Sequence, residues 1–233
     1  PLLLNAMKGP VAPELRLGYA RLLIGQHAYP EALAQLHKLN ADHPTFADGW
    51  LVHGLLLLET RKEQRAEPKL LKHLELTSSS GGDPSIISGR GESLMALAQI
   101  AQRKGQFAQA QQWLAQVPTD ADPIKLASRQ ADLLSQQGRL DEARVVLERI
   151  RANTPELAVR KALVQSQWLR ENKQAASAYA LVQQALKLHP QNTDLMSELA
   201  MVTEKLKRFD EMETLLRDLM KRKPEDPHAF NAL

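Results

Sequence analysis

The apolar and polar positions of this chain follow a helical period that is interrupted at regular intervals. Residues 138–155, GRLDEARVVLERIRANTP, run glycine, a hinge leucine, an alanine and then amphipathic helix as far as Pro155. The same shape returns in GQFAQAQQWLAQVP (105–118), QAASAYALVQQALKLHP (174–190) and KRFDEMETLLRDLMKRKP (207–224). Anchored on the small residue of each hinge phrase (Ala32, Ala66, Ala110, Ala143 and Ala178, with Met212 in the sixth place), units start at residues 13, 47, 91, 124, 159 and 193 and, by extension, 227. One insertion of about ten residues breaks a period of 34. Such recurrence predicts hairpins that bury their apolar faces against one another, not a single closed core.

Small residues mark where the two helices of each unit should cross. Unit position 8 reads Ala20, Gly54, Ala98, Ala131, Ser166 and Ala200, and position 20 carries the hinge residues. A small side chain at each lets the backbones approach to about 8 Å. Position 24 supplies Leu36, Leu70, Leu114, Leu147, Val182 and Leu216. Position 17 is Tyr29, Phe107, Leu140, Ala175 and Phe209, expected to plug against the next unit's first helix. Prolines at position 32, namely Pro44, Pro155, Pro190 and Pro224, are expected to stop the second helices, with Asp or Thr capping the next helix in DHPTFAD, HPQNTD and KPEDPH.

Some units depart from the pattern. The second has a turn, ETRKEQRAEP, without glycine, and runs into TSSSGGDPS, which predicts an inter-repeat loop over residues 78–84. In the third, QVPTDADP shortens the second helix, with Pro118 and Pro123 in place of one stop. Met212, larger than alanine, predicts a wider sixth crossing.

Composition agrees with helices alone. Of 233 residues, 43% are hydrophobic, only 4% are aromatic and 11 are glycine; Ala, Leu, Gln, Glu, Lys and Arg, which lose little entropy in a helix, dominate. The 30 basic and 27 acidic residues are dispersed, with no block of like charge to mark a nucleic-acid arm. Cysteine is absent, which excludes disulfides and thiolate metal sites and leaves the compartment open. The longest apolar run, residues 55–58, is far below the ~18 a membrane helix needs, so direct membrane insertion is not expected. Pro1 and the helix-like ending DPHAFNAL suggest a fragment of a longer protein.

Candidate chemistry is sparse. None of the seven histidines pairs with another at the i, i+4 spacing of a helical zinc site. His53, on the hairpin interior, reads as a packed core residue, and His43 and His189 as helix C-terminal residues. There is no Gly-rich phosphate loop and no nucleophile elbow. Paired carboxylates such as Asp141 and Glu142 sit at helix starts, where they favour the dipole, and Trp50, Trp113 and Trp168 are expected in the core. No catalytic residue, metal or cofactor is expected.

The 34-residue period, WLVHGLLL at 50–57, the small residues at positions 8 and 20 and the position-32 prolines resemble the tetratricopeptide repeat family. That resemblance implies an all-α, right-handed α-solenoid of about six helix-turn-helix repeats in one domain: 13–46, 47–78, 91–123, 124–157, 159–192 and 193–226, with a partial repeat at 227–233. More narrowly, LMALAQIAQRKGQFAQAQQWLAQV (95–117), ADLLSQQGRLDEARVVLERIR (131–151) and FDEMETLLRDLMKRKPEDPHAFNAL (209–233) resemble bacterial outer-membrane tetratricopeptide lipoproteins, some of them adaptors for a periplasmic carboxyl-terminal-processing protease. Residues 1–60 match only the general repeat. This narrower likeness implies a place at the periplasmic face of the outer membrane.

In that fold the concave wall is lined by the first helices at unit positions 2, 5, 9, 12 and 13. The candidate protein-binding residues are therefore Leu51 and Leu55; Met95, Gln99, Gln102 and Arg103; Asp132 and Gln136; Arg160, Leu163, Gln167 and Arg170; and Met201. Amides there suit the backbone of a bound segment, and Leu or Met an apolar anchor. The Lys and Asn clamp by which chaperone-binding relatives hold a chain-terminal carboxylate is absent, positions 5 and 9 reading, for example, Leu51 with Leu55 and Ser128 with Asp132. The expectation is a non-enzymatic scaffold or adaptor for another protein, either a peptide segment or a folded partner such as an envelope protease. Two alternatives stay open: a cytoplasmic regulator or peptide sensor, and a substrate-guiding region of a larger enzyme. Exposed terminal repeats also suggest self-association.

Overall fold

The computed structural model describes residues 11–78, 84–118 and 122–222, and among them there are twelve helices and no strand. In chain order these are α1 (Pro13–Gly25), α2 (Tyr29–Asp42), α3 (Ala47–Glu59), α4 (Glu63–Leu76), α5 (Pro84–Arg103), α6 (Phe107–Ala115), α7 (Pro123–Gln136), α8 (Leu140–Glu148), α9 (Pro155–Glu171), α10 (Ala175–Leu188), α11 (Thr193–Lys205) and α12 (Phe209–Arg222). They fall into two compact units, Pro1–Arg129 and Gln130–Leu233, so the first turns of α7 belong to one unit and its end to the other.

One turn is used six times. The last residue of each connecting pair adopts ordinary backbone, but the one before it is left-handed: His27, Arg61, Gly105, Gly138, Lys173 and Lys207 have φ of 57°, 58°, 73°, 75°, 61° and 59°. In each case the next amide reaches back to a carbonyl five residues earlier, as in Lys62 N to Leu57 O at 2.8 Å, Gln106 N to Ala101 O at 2.9 Å and Gln174 N to Leu169 O at 2.8 Å. This closing bond satisfies a carbonyl that the helix end leaves unpaired. Glycine meets the left-handed requirement without cost at Gly105 and Gly138; in the other four turns a side chain is held there against a penalty of about 1 kcal/mol. The glycine-free turn of the second repeat is thus only residues 60–62, and Pro68, expected within that turn, lies inside α4.

The crossing positions are tightly packed. Ala32, Ala66, Ala110, Ala143 and Ala178 are wholly buried, as are Ala20 and Ser166, and Ala98 and Ala131 nearly so. Met212 is half-buried in the corresponding place. At Gly54 a Cβ would lie 2.7 Å from Leu70 Cδ2, 2.8 Å from its Cγ and 3.3 Å from its backbone nitrogen. There is no room for a methyl group. Around this contact Leu51, Leu57, Leu58, Leu70, Ala96, Leu97 and Ile100 form one apolar cluster drawn from α3, α4 and α5. A second cluster joins Leu17, Leu23, Leu36 and Leu39 to Leu56 of the following repeat. In the second unit Val159, Ala162, Val182, Leu195 and Leu199 do the same for α9, α10 and α11. Each cluster needs the next repeat to close it, and every fully buried Leu contributes about 1.5–3 kcal/mol.

Several local expectations are corrected. Pro155 does not stop a helix but begins α9, where its missing N–H costs nothing; Thr154 Oγ1 caps it by accepting from Leu157 N at 3.2 Å. Pro123 likewise opens α7, with Asp122 Oδ1 accepting from Ile124 N at 3.0 Å and Lys125 N at 3.1 Å. The α3 helix has no side-chain cap, and α11 is capped by Asn192, not by the neighbouring Thr or Asp. The helix expected from residue 91 begins at Pro84. Phe209 and Leu140 are 57% and 37% exposed, so these two do not plug a neighbouring repeat. The loop expected over 78–84 lies, apart from its ends, outside the described residues, as do the Pro224 stop and the partial repeat at 227–233.

The close crossing makes two glycines behave oppositely. Gly18, within α1, has nothing within 4 Å of the place an alanine methyl would take. Gly18→Ala should stabilise by about 0.5–1 kcal/mol through helix propensity, whereas Gly54→Ala should destabilise by about 1–3 kcal/mol through overpacking. Urea midpoints of the two variants, compared with the unaltered chain, check both signs.

Candidate functional site

A polar-lined concavity of the first unit opens between three successive first helices. Leu55, Leu58 and Glu59 of α3 and Arg61 of the turn after it form one side; Glu92, Met95, Ala96, Gln99 and Arg103 come from α5; Lys125 and Arg129 come from α7. The cleft has a volume of about 310 Å³. Along α5 the lining residues recur at intervals of three and four, one face of a helix. Met95, Ala96 and Leu58 are buried and make an apolar floor, Leu55 is half-buried above them, and the amide of Gln99 is partly accessible. Cations stand around this floor. Arg103 Nη1 donates to Glu63 Oε1 at 2.7 Å and Lys104 Nζ to Glu67 Oε2 at 2.6 Å, tying α5 to α4. The Glu63 carboxyl is held below its ordinary range, first by its own backbone amide and then by the Arg103 guanidinium.

Of the residues read as a concave wall, this cleft gathers Leu55, Met95, Gln99 and Arg103. Leu51 is a correction: it is 8% exposed and sits in the core cluster, because α5 packs against α3 closely enough to cover that row. Gln102 is half-buried and off the lining. The remaining candidates belong to the second unit. There Leu163 is half-buried against the Val159 cluster. Arg170 is drawn to Glu198, 3.4 Å from Nε to Oε1, and that carboxylate, only 5% exposed, also accepts from Ser166 Oγ at 2.8 Å. Gln167 donates to Glu171 at 2.9 Å, Gln136 is exposed, Asp132 is half-buried and Met201 is 42% exposed. Arg160 lines a separate groove of about 540 Å³ with Pro155, Glu156, His189 and Asp194.

Glu59, Arg61, Glu92 and Arg129 were not among the candidates. A signal for Arg129 was available, since it lies one turn beyond Lys125, and for Glu59, one turn beyond Leu55. None existed for Arg61, whose placement depends on the left-handed turn. The tryptophans are used structurally: Trp168 is buried and donates to Ser135 Oγ at 2.8 Å, Trp50 donates to Pro44 O at 2.9 Å beneath Lys69, and Trp113 packs on the α3–α5 cluster.

Among the described residues no group of three or more His, Asp or Glu is placed to hold a metal ion, and no helix is long and apolar enough to cross a membrane. Two histidines are buried in polar pairs. The His53 Nδ1 lies 3.0 Å from Asn40 Nδ2, joining α3 to α2, and His73 Nδ1 lies 2.8 Å from Ser93 Oγ, joining α4 to α5. Burial pushes His53 down to about 4, with Lys69, His37 and Arg65 adding to the shift; burial also lowers His73, against the opposing pull of Asp48. His43, at the end of α2, bonds Val11 O at 3.1 Å.

Comparison with known proteins agrees with this architecture. Residues 169–233 match the family model described as tetratricopeptide repeat. A TPR repeat-containing protein of Pseudomonas aeruginosa, PA4667, is 32% identical over 137 residues, covering 59% of this chain and 23% of that protein. The chain thus spans about a quarter of the length of that curated relative. Among solved structures, a tetratricopeptide repeat protein from Parabacteroides merdae superposes with a TM-score of 0.68 at 12% identity, over 98% of this chain and 87% of that one. PilW, a type IV pilus biogenesis factor, gives 0.60 at 13% identity over 96% and 99%, and yeast Tom70 gives 0.65 at 16% over 94% and 45%. The fold is the all-α tetratricopeptide fold, whose members mediate protein–protein interaction.

The buried histidines predict an acid-sensitive fold. The unfolded chain takes up these protons below about pH 6.5 while the folded chain resists until about pH 4 for His53. Stability should therefore be full above pH 6.5 and fall through the window down to 4, by on the order of 2 kcal/mol from His53. Thermal midpoints measured across that window should drop for the unaltered chain and drop less for His53→Gln.

Proposed function

We propose that this chain is a non-enzymatic adaptor that holds a segment of a partner protein in the α3–α5–α7 cleft, and that it works in the envelope of a Gram-negative bacterium, at the periplasmic face of the outer membrane. The observation that carries the first part is the cleft itself. It combines an apolar floor at Leu58, Met95 and Ala96 with Leu55 half-buried above it, an amide at Gln99 and a charged rim, which together match the needs of an extended or helical peptide: an anchor pocket, a main-chain partner and polar steering. The α3 and α5 walls are held by a shared core cluster, and the Arg103–Glu63 and Lys104–Glu67 pairs tie α5 to α4, so these two walls stand in place before a ligand arrives.

The envelope assignment is supported by the likeness of residues 95–117, 131–151 and 209–233 to outer-membrane tetratricopeptide lipoproteins that serve a processing protease. The Pseudomonas relative and the fold shared with type IV pilus biogenesis factors are compatible with it. In this reading the adaptor brings an envelope protease or comparable machinery to its substrates. Catalysis belongs to the partner.

A photo-crosslinking amino acid at Gln99 should capture a discrete partner in cells, and one at Gln111, exposed on α6, should not. Leu55→Asp should abolish the Gln99 adduct with helicity unchanged, and the adduct should fractionate with the envelope. Equal capture at the two positions, or a Gln99 adduct indifferent to Leu55→Asp, would remove the cleft from the account; an adduct confined to the cytosolic fraction would remove the envelope.

A further inference from the structure

We infer that the segment taken by this cleft is acidic, with carboxylate side chains on both sides of one aliphatic anchor; the inference rests on the proposed use of the cleft. Charge complementarity carries it. Four cations, Arg61, Arg103, Lys125 and Arg129, face two carboxylates, Glu59 and Glu92, around the floor made by Leu58, Met95 and Ala96. Arg103 is already engaged by Glu63 at 2.7 Å, and Arg129 has an interaction of its own. Arg61, whose field reaches Glu63, and Lys125 form no ion pair among the described residues. These two stand on different elements, Arg61 on the turn that ends α3 and Lys125 in the first turn of α7, so the positive charge brackets the apolar floor.

The geometry fits an extended segment better than a bare anion. A volume of about 310 Å³ accepts one large aliphatic side chain with its backbone, leaving flanking residues at the rim where Arg61 and Lys125 stand. Gln99 offers both an amide donor and a carbonyl acceptor to the main chain of that segment. Carboxylates at the rim would find cations, and lysines there would find like charge, so the cleft discriminates by repulsion as well as attraction. A chain-terminal carboxylate has the same chemistry, but the Lys and Asn clamp that would grip one is missing at positions 5 and 9 of these repeats, which favours side-chain carboxylates.

The test is fluorescence anisotropy with the full chain and three dye-labelled peptides: one with a central Leu between pairs of Asp and Glu, its Lys-substituted counterpart, and a neutral Ser-substituted one. The acidic peptide should bind at least about tenfold more tightly than the lysine peptide at low salt, with the preference shrinking at high salt. Lys125→Glu should erase that preference while Lys125→Arg keeps it, both with unchanged circular dichroism. Amidating the peptide's C-terminus should leave affinity within about twofold; a large loss would overturn the assignment to side-chain carboxylates. Equal binding of the acidic and lysine peptides, or indifference to Lys125→Glu, would overturn the acidic preference. If the neutral or lysine peptide then binds in a manner lost on Leu55→Asp, the cleft remains a peptide site and only its charge preference falls; if no peptide binds, the cleft reading falls with it.

Discussion

Everything in this fold depends on how closely the two helices of a hairpin can approach. At the second repeat the approach leaves no room for a Cβ, with Leu70 filling the space where Gly54 would carry one. Alanines, with Ser166 in the fifth repeat, fill the matching positions elsewhere and are almost wholly excluded from water. Close crossing exposes an apolar ridge on each hairpin that only the next hairpin can cover, and the shared clusters show that covering taking place within each unit. The cleft is a by-product of the same constraint. When α3 and α5 are drawn together, Leu51 sinks into the core while Leu55, one turn further on, is left half open at the cleft wall.

The turns show which part of the architecture can be read from residue types and which cannot. The recurring hinge phrase marks the second-helix starts well, at residues 29, 63, 107, 140, 175 and 209, because an alanine at a crossing is a packing requirement with few substitutes. Glycine marks the left-handed turn residue at Gly105 and Gly138 only; His27, Arg61, Lys173 and Lys207 adopt the same backbone without it, held by the closing hydrogen bond and the packing on either side. Proline was the least legible signal. It is excluded from most helix interiors but welcome in the first turn, so Pro155 and Pro123 open helices where a stop was expected. Pro68 lies inside α4, more than one turn from its start, against the usual preference.

The candidate site was legible to the extent that it depends on helical periodicity. Met95, Gln99 and Arg103 follow from the spacing of a single helix face. Burial along that face does not follow, because it is set by the distance to the neighbouring helix, and this separates Leu51 from Leu55 and places Gln102 off the lining. The partners of charges were equally hidden. Arg170 reads as a free groove cation from its position, yet the buried Glu198 of the following first helix draws it in, and Arg103 is shared with Glu63 across forty residues of sequence. Long-range pairing of this kind is decided by which repeats stack.

A double-mutant cycle between Gly54→Ala and Leu70→Ala measures the governing contact directly. If the added methyl is resisted by the Leu70 side chain, the penalty of Gly54→Ala should largely vanish in the Leu70→Ala background, giving a coupling of at least about 1 kcal/mol in denaturant unfolding. Penalties that simply add would show that the two helices do not meet at this point, and the account of the hairpin would be wrong.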